Sequence, residues 1–256
     1  MLSKNKIKYI RSLELKKNRK EEGAFVAEGH KLVGELLGYF PCRILLAVRS
    51  WLDENPDVKA HEVIEVTQDE LSRASLLKTP QDVLAVFGQP QYPMEPEVIS
   101  RSLCLALDDV QDPGNLGTIL RIADWFGIKS VFATKDTVDV FNPKVVQATM
   151  GAVFRVKMHY VDLPSLAKIV LDAGGKLYGT FLDGKNIYQR ELSNGDDAPS
   201  VIVIGNESNG ISDAMAELVS DRLYIPPYPA DDPGSESLNA AIATSITVAE
   251  FRRRKY

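Results

Sequence analysis

A chain of 256 residues, 45% hydrophobic and 25% charged, has the composition of a soluble globular protein and the length to bury the core of one large domain or two modest ones. No apolar run is long enough to span a bilayer, the N-terminus is charged from Lys4 onward rather than apolar, and Cys42 and Cys104 are too few for a disulfide framework. The expectation is a cytoplasmic protein with no membrane contact, and a net charge of −5 argues on average against a nucleic-acid partner.

The average hides a distribution. The first twenty residues hold Lys4, Lys6, Lys8, Arg11, Lys16, Lys17, Arg19 and Lys20 against Glu14 alone, and Arg252-Arg253-Arg254-Lys255 stands near the other end. Such stretches are either solvated faces or electrostatic footprints for a phosphate backbone.

In chain order, a basic helix is expected near Lys4–Arg19, then a strand at Phe25-Val-Ala and a helix over Gly29–Leu37. Strands follow at Arg43–Val48 and Val63–Val66, and Thr67 with Glu70 has capping-box spacing for the next helix. Val83–Phe87 reads as a last buried strand. His30 and His61 have no partners at ligand spacing. Three prolines in Gln89-Pro-Gln-Tyr-Pro-Met-Glu-Pro96 mark a linker. The expected organisation is thus a small α/β sandwich over residues 1–88, a linker over 89–100 and a second domain over 101–256.

The second domain alternates short apolar runs with turns and helices. Strands are expected at Leu103–Leu107, Ser130–Ala133, Lys176–Phe181, Val201–Ile204 and Arg222–Ile225, with a terminal helix over Ser237–Arg253. That pattern implies an α/β fold with a mainly parallel sheet covered on both faces. In such sheets ligands bind at the carboxyl ends of strands.

Three segments put polar or glycine residues at those ends. Asp108-Asp-Val-Gln-Asp-Pro-Gly-Asn115 enters a helix whose buried stripe is Leu116, Ile119, Leu120 and Ala123, with Asn115, Thr118 and Arg121 as a neighbouring polar row. Arg121 is placed either to clamp a phosphate or to pair with Asp124 or Asp108. Val201–Ile204 runs into Gly205-Asn-Glu-Ser-Asn-Gly210, whose terminal glycines allow close backbone approach to a ligand. Ile225-Pro-Pro restricts a strand end, and Ser237 is expected to cap the last helix, ahead of Leu238 and Asn239. No G-x-G-x-x-G and no P-loop are present, which argues against a dinucleotide-binding oxidoreductase.

The ordered set Asn115…Arg121, Gly205-Asn-Glu207…Gly210 and Ile225-Pro…Ser237-Leu-Asn239 resembles the three motifs of the SpoU/TrmH-type RNA ribose 2′-O-methyltransferases of the SPOUT superfamily. Ile10-Arg-Ser-Leu, Lys17-Asn-Arg and Phe25-Val-Ala-Glu-Gly29 resemble the substrate-binding domain that precedes the catalytic domain in many members.

The resemblance implies S-adenosylmethionine as methyl donor without a metal, a C-terminal trefoil knot, a homodimer and an RNA substrate. Ribosomal RNA is favoured; transfer RNA, or a non-catalytic RNA-binding relative, is the alternative, although such a relative would be expected to lack Arg121 or Asn239. Carried over by position, Asn115, Arg121, Glu207, Ser237 and Asn239 form the catalytic group. Thr180, Gly205, Asn206, Gly210, Ile225, Pro227 and Leu238 line the donor pocket, and Lys4, Lys6, Arg11, Lys17, Arg19 and Arg121 face the RNA. Family mechanisms give the position of Arg121 the role of base. A guanidinium, which holds its proton tightly, equally suits orienting a phosphate and polarising the hydroxyl. One departure is the acidic stretch 228–236, several residues longer than usual for the third motif.

Overall fold

The computed structural model describes residues 2–93, 98–99, 102–229 and 237–253. Residues 94–97 and 100 of the expected linker, residues 230–236 of the extended third segment, and Arg254 and Lys255 of the basic tail lie outside the described residues. The chain forms two compact units, one of Met1–Gln91 with Asp139–Phe154 and one of Tyr92–Val138 with Arg155–Tyr256.

The first unit opens with two helices rather than the expected single one, α1 (Lys4–Ser12) and α2 (Lys16–Glu22). Ile10 and Leu13 are fully buried, and the chain turns after them. The turn exposes carbonyls that need donors. Asn18 Nδ2 donates to the Ser12 carbonyl (2.8 Å), and Arg19 Nη1 donates to those of Leu13 (2.9 Å) and Glu14 (2.7 Å).

β1 (Ala24–Glu28), α3 (His30–Leu36), β2 (Cys42–Ala47), α4 (Arg49–Glu54), β3 (Glu62–Glu65), α5 (Gln68–Ala74) and β4 (Val83–Gly88) follow. The sheet order is β1-β4-β2-β3, with β4 antiparallel to both neighbours and β2 parallel to β3. Every residue of β4 is buried, as its central place requires. The Thr67 capping box forms as expected at the start of α5.

The second unit begins with β5 (Leu103–Leu107), α6 (Pro113–Trp125) and β6 (Ser130–Ala133). The next segment, 139–154, belongs to the first unit. It carries α7 (Pro143–Thr149), with Val145 and Val146 fully buried and Phe141 packed on Phe25 at 4.7 Å between ring centroids. The short helix α8 (Ala152–Arg155) ends the excursion, and the second unit resumes with β7 (Lys157–Tyr160), α9 (Leu163–Asp172) and β8 (Lys176–Asn186). β9 (Ser200–Ile204), α10 (Asp213–Ala216), β10 (Asp221–Tyr224) and α11 (Ala240–Arg253) complete it.

All strands of this sheet are parallel, in the order β10-β8-β9-β5-β6-β7. β5 and β9, with every residue buried, read in sequence as the continuous apolar runs of a sheet covered on both faces. β7 is absent from the sequence-based expectation because Lys157-Met-His-Tyr is an edge strand of mixed polarity. β8 runs on past Phe181 to Asn186, with a register break against β10.

The order carries a consequence for binding. From β5 the chain steps one way through β6 to β7, then crosses to β8 and returns to insert β9 between β8 and β5. The β5–β9 boundary is a topological switch point, where crossovers diverge and leave a crevice outside the carboxyl ends.

Candidate active site

Two loops leave the sheet at this boundary. After β5, Asp108 is buried; its amide donates to the Ile204 carbonyl (2.8 Å) and its Oδ2 accepts from the Ser212 amide (2.8 Å). Asp109 takes a left-handed backbone, φ 62°. Asp112 Oδ1 then caps α6 by accepting from the Asn115 amide (2.8 Å), with Pro113 in the first turn. The predicted stripe Leu116, Ile119, Leu120 and Ala123 is fully buried. That packing fixes the helix and with it Asn115.

After β9, Gly205–Gly210 folds back on itself through paired backbone bonds between Asn206 and Gly210 (2.9 and 3.0 Å). A Cβ on Gly205 would collide with the backbone of Gly210 and Ile211, so only glycine fits. Asn206 ties the two loops together. Its Nδ2 donates to the Asp109 carbonyl (2.7 Å), while its Oδ1 accepts from the amides of Ser208 (2.9 Å) and Asn209 (3.0 Å). A cleft of about 480 Å³ opens between the loops, with Asp109, Asp112 and Glu207 on its walls.

Glu207 sits at the amino end of α6, where a helix favours negative charge. It accepts from Asn115 Nδ2 (2.8 Å) and from the amides of Asp112 (3.2 Å) and Gln111 (3.3 Å). Burial pushes its carboxyl up, but the bonds from Asn115 and the backbone amides outweigh that and hold it below the usual carboxylate range. Asn115 Oδ1 in turn accepts from Asn239 Nδ2 (2.8 Å), and Asn239 Oδ1 accepts from the amides of Ala241 (2.9 Å) and Ile242 (3.3 Å). The backbone of α11 at one end and a carboxylate at the other fix which way both amides face. Three segments far apart in sequence are joined by one chain of hydrogen bonds.

Asn239, not Ser237, caps α11. The helix starts at Ala240, so Ser237 lies too early to reach its amides, and it is exposed. The ion pairs considered for Arg121 do not form. Asp124 is taken by Arg155 (2.6 Å) and Asp108 Oδ2 by an amide, leaving Arg121 exposed and without a partner among the described residues. Thr180, Gly205 and Ile225 lie on or just past β8, β9 and β10, three adjacent strands, and Pro227 follows; Leu238 is 49% exposed. Asp112 and Gln111 escaped the sequence reading. The Asp-Pro pair ahead of a helix was a usable capping signal for the first; nothing local marks the second, which contributes only its backbone amide to Glu207.

The candidate RNA contacts divide. Lys4 is exposed, and Lys17 is exposed with Glu21 Oε1 at 3.8 Å. Lys6 pairs with Glu62, and Arg11 donates to the carbonyls of Arg73 (3.3 Å) and Ser75 (2.9 Å). Arg19 must be withdrawn from the set. It is 1% exposed, with Nε and Nη2 on Asp139 Oδ2 at 2.8 and 2.6 Å, so every donor face is spent inside the fold. Among the described residues no helix is long and apolar enough to cross a membrane.

Residues 102–249 match the SpoU rRNA Methylase family, and residues 4–85 match the MRM3-like substrate binding domain. The 23S rRNA (guanosine(2553)-2′-O)-methyltransferase RlmP of Bacillus subtilis is 32% identical over 248 residues, 96% of each chain. A solved structure of a TrmH-family protein from Porphyromonas gingivalis superposes with a TM-score of 0.88 at 43% identity, covering 99% of both chains. An AdoMet-bound rRNA methyltransferase from Sinorhizobium meliloti superposes with a TM-score of 0.84 at 31% identity, covering 100% of this chain and 97% of that one. With the catalytic half matched along nearly its whole length and a full-length relative above 30% identity, this chain belongs to the SpoU rRNA methylase family.

Proposed function

We propose that this protein transfers a methyl group from S-adenosylmethionine to a ribose 2′-hydroxyl of ribosomal RNA. The observation that carries the reading is the hydrogen-bonded chain Asn239–Asn115–Glu207, which draws all three polar segments to one strand boundary, with Arg121 left unpaired on the same helix as Asn115. The residues present fit the donor. An adenosyl group needs a slot walled by backbone and apolar surface. Thr180 within β8, and Gly205 and Ile225 just past the ends of the neighbouring strands β9 and β10, offer backbone, Gly205 admits no side chain, and Leu238 presents an apolar one.

The bound donor supplies a methyl already activated on sulfur. What remains for the chain is to orient the ribose and deal with its hydroxyl proton. Arg121 suits a substrate phosphate, because a planar guanidinium grips phosphate oxygens with two parallel bonds. The guanidinium polarises the hydroxyl beside that phosphate; as the methyl passes from sulfur to the ribose oxygen, the hydroxyl proton goes to an oxygen of the same phosphate or to solvent, and S-adenosylhomocysteine leaves. Glu207 accepts from three donors and is held below the usual carboxylate range, which makes it a weak base, so it serves to hold Asn115 in place. Asn239 and Asn115 fix each other, and Ser237, exposed beside Asn239, is left to face the ribose. No step calls for a metal.

The finer architecture belongs to the same proposal. A trefoil knot in the C-terminal part is supported by β9 inserting between β8 and β5 and by the return of α11, after edge strand β10, to pack on α6. A homodimer is supported by Trp125, Leu238 and Ile242, which are 85%, 49% and 50% exposed on or beside α6 and α11. Work in the cytoplasm, expected from the sequence, is part of the same proposal.

The test is incubation with S-adenosylmethionine labelled in its methyl group and deproteinised total RNA, then nucleoside analysis. Label should appear as a 2′-O-methylated nucleoside in ribosomal RNA. Label on a base, or confined to transfer RNA, would refute the proposal.

A further inference from the structure

The first unit carries a second cleft, of about 190 Å³, far from the chemistry of the three motifs in sequence. One wall is α3, with exposed Lys31, buried Leu32 and half-buried Glu35, and the other is the end of α7, with Gln147 and Met150. Glu28 also lines the cleft, so its inner part is acidic and Lys31 is its cation. Both walls run on to an aromatic residue. Tyr39 follows α3 by one more turn and Phe154 follows Met150 by another, and the two rings stack at 3.9 Å with planes 19° apart. Tyr39 nevertheless stays 65% exposed, so its outer face looks onto solvent.

Three details set this place apart from ordinary surface. Met150 ends α7 in the left-handed conformation, φ 49°, where a helix end calls for glycine, and its side chain is 52% exposed. A methionine held there costs backbone energy and gives nothing to the core. Gly29, at φ +99°, lets the Gln81 amide lie over the floor, where a Cβ would come within 2.6 Å of its oxygen. Finally, Lys31, Gln81 and Gln147 have hydrogen-bonding groups with no partner among the described residues.

From this geometry we infer that the cleft between α3 and α7 is a binding site for an unpaired RNA nucleobase, stacked on Tyr39 and gripped by Met150. The inference rests on the RNA-methylating function proposed above. The chemistry favours a base over a peptide side chain. A flat aromatic face gives sequence-tolerant stacking, unpaired amides match both donors and acceptors of base edges, and a lysine suits the adjoining phosphate. Methionine at the rim adapts to bases of different size.

The test compares binding of a short fluorescein-labelled oligoadenylate with that of an RNA duplex of equal length, by anisotropy on the full chain. Tyr39→Ala should weaken single-strand binding by about fivefold to a hundredfold, the loss of one base stack, while Tyr39→Phe stays close to wild type. Met150→Gly should weaken the same binding severalfold and raise the melting temperature, since glycine suits that backbone. A merely structural methionine would not separate those two effects. Wild-type affinity in both Tyr39→Ala and Met150→Gly, or equal losses on duplex and single strand, overturns the site. Methyl transfer to ribosomal RNA is scored separately. Normal transfer by wild type with Tyr39-independent binding removes the site and leaves the enzyme. Tyr39-dependent binding without transfer by wild type does the reverse.

Discussion

The two units spend their buried polar groups differently. In the first, Arg19 is enclosed and gives its guanidinium to Asp139 and to the carbonyls of a broken helix. In the second, buried Asn115 bonds to Glu207 on one side and to Asn239 on the other, while Arg121, on the same helix, is paired with nothing described. An arginine enclosed by its own chain holds a fold. An arginine left open beside a hydrogen-bonded polar chain is available to a ligand. Charge alone did not separate them, because both are arginines in basic or polar surroundings of the sequence.

That contrast can be broken most sharply at Arg19. Arg19→Ala leaves Asp139 and carbonyls without their donors and should destabilise the protein by about 3–5 kcal/mol, read by urea denaturation. If it instead leaves stability intact and weakens RNA binding, the two arginines are alike and the contrast falls. Arg121→Ala should leave stability and donor affinity unchanged and slow single-turnover methyl transfer by about 10²–10³-fold, the usual loss for a preorganised charge-stabilising group. Near-normal turnover in Arg121→Lys would remove the phosphate-clamping role, since an ammonium lacks the planar fork.

Glu207→Gln tests the other side of the comparison. The amide turns one acceptor oxygen into a donor that faces N–H groups already present, so the loop should lose about 1–3 kcal/mol of local support, and transfer should fall with it. The pH dependence has a definite sign. A carboxyl held below its ordinary value in the folded protein adds stability that is present above the unfolded pKa and lost as pH falls through the folded one. The polar chain should therefore persist unchanged from neutral pH into the ordinary carboxylate range. Carboxyl carbon shifts of Glu207 should begin to titrate only below it, and titration near neutrality would contradict this. The smallest effect is expected at Thr67→Ala, about 1 kcal/mol from a lost helix cap, with methyl transfer untouched.

Much of the fold could be read from sequence where one local signal sufficed. The runs of β5 and β9, the stripe of α6 and the capping box at Thr67 are each decided within a few residues. What escaped depends on partners remote in sequence. Lys157–Tyr160 forms a strand because β6 offers it an edge, and Val145 and Val146 show an apolar face without saying which core receives it. The break between α1 and α2 depends on Arg19 folding back to satisfy carbonyls. At the site, the residue types at Asn115, Glu207 and Asn239 were visible, but their bonds span 92 and 124 positions. The choice of Asn239 over Ser237 as cap is local instead, set by the helix beginning at Ala240.

That separation also sets a schedule. A ribosome adding about 5–20 residues per second delivers Asn239 about 6–25 s after Asn115, whose carbonyl oxygen goes without that donor for the interval. The whole parallel sheet is made before then, since β10 ends at Tyr224. An unfinished chain can thus hold the strands, Arg121 and Glu207 while the polar chain that links the three segments is still incomplete. RNA that meets the nascent chain in that interval meets the strands before the three segments are joined.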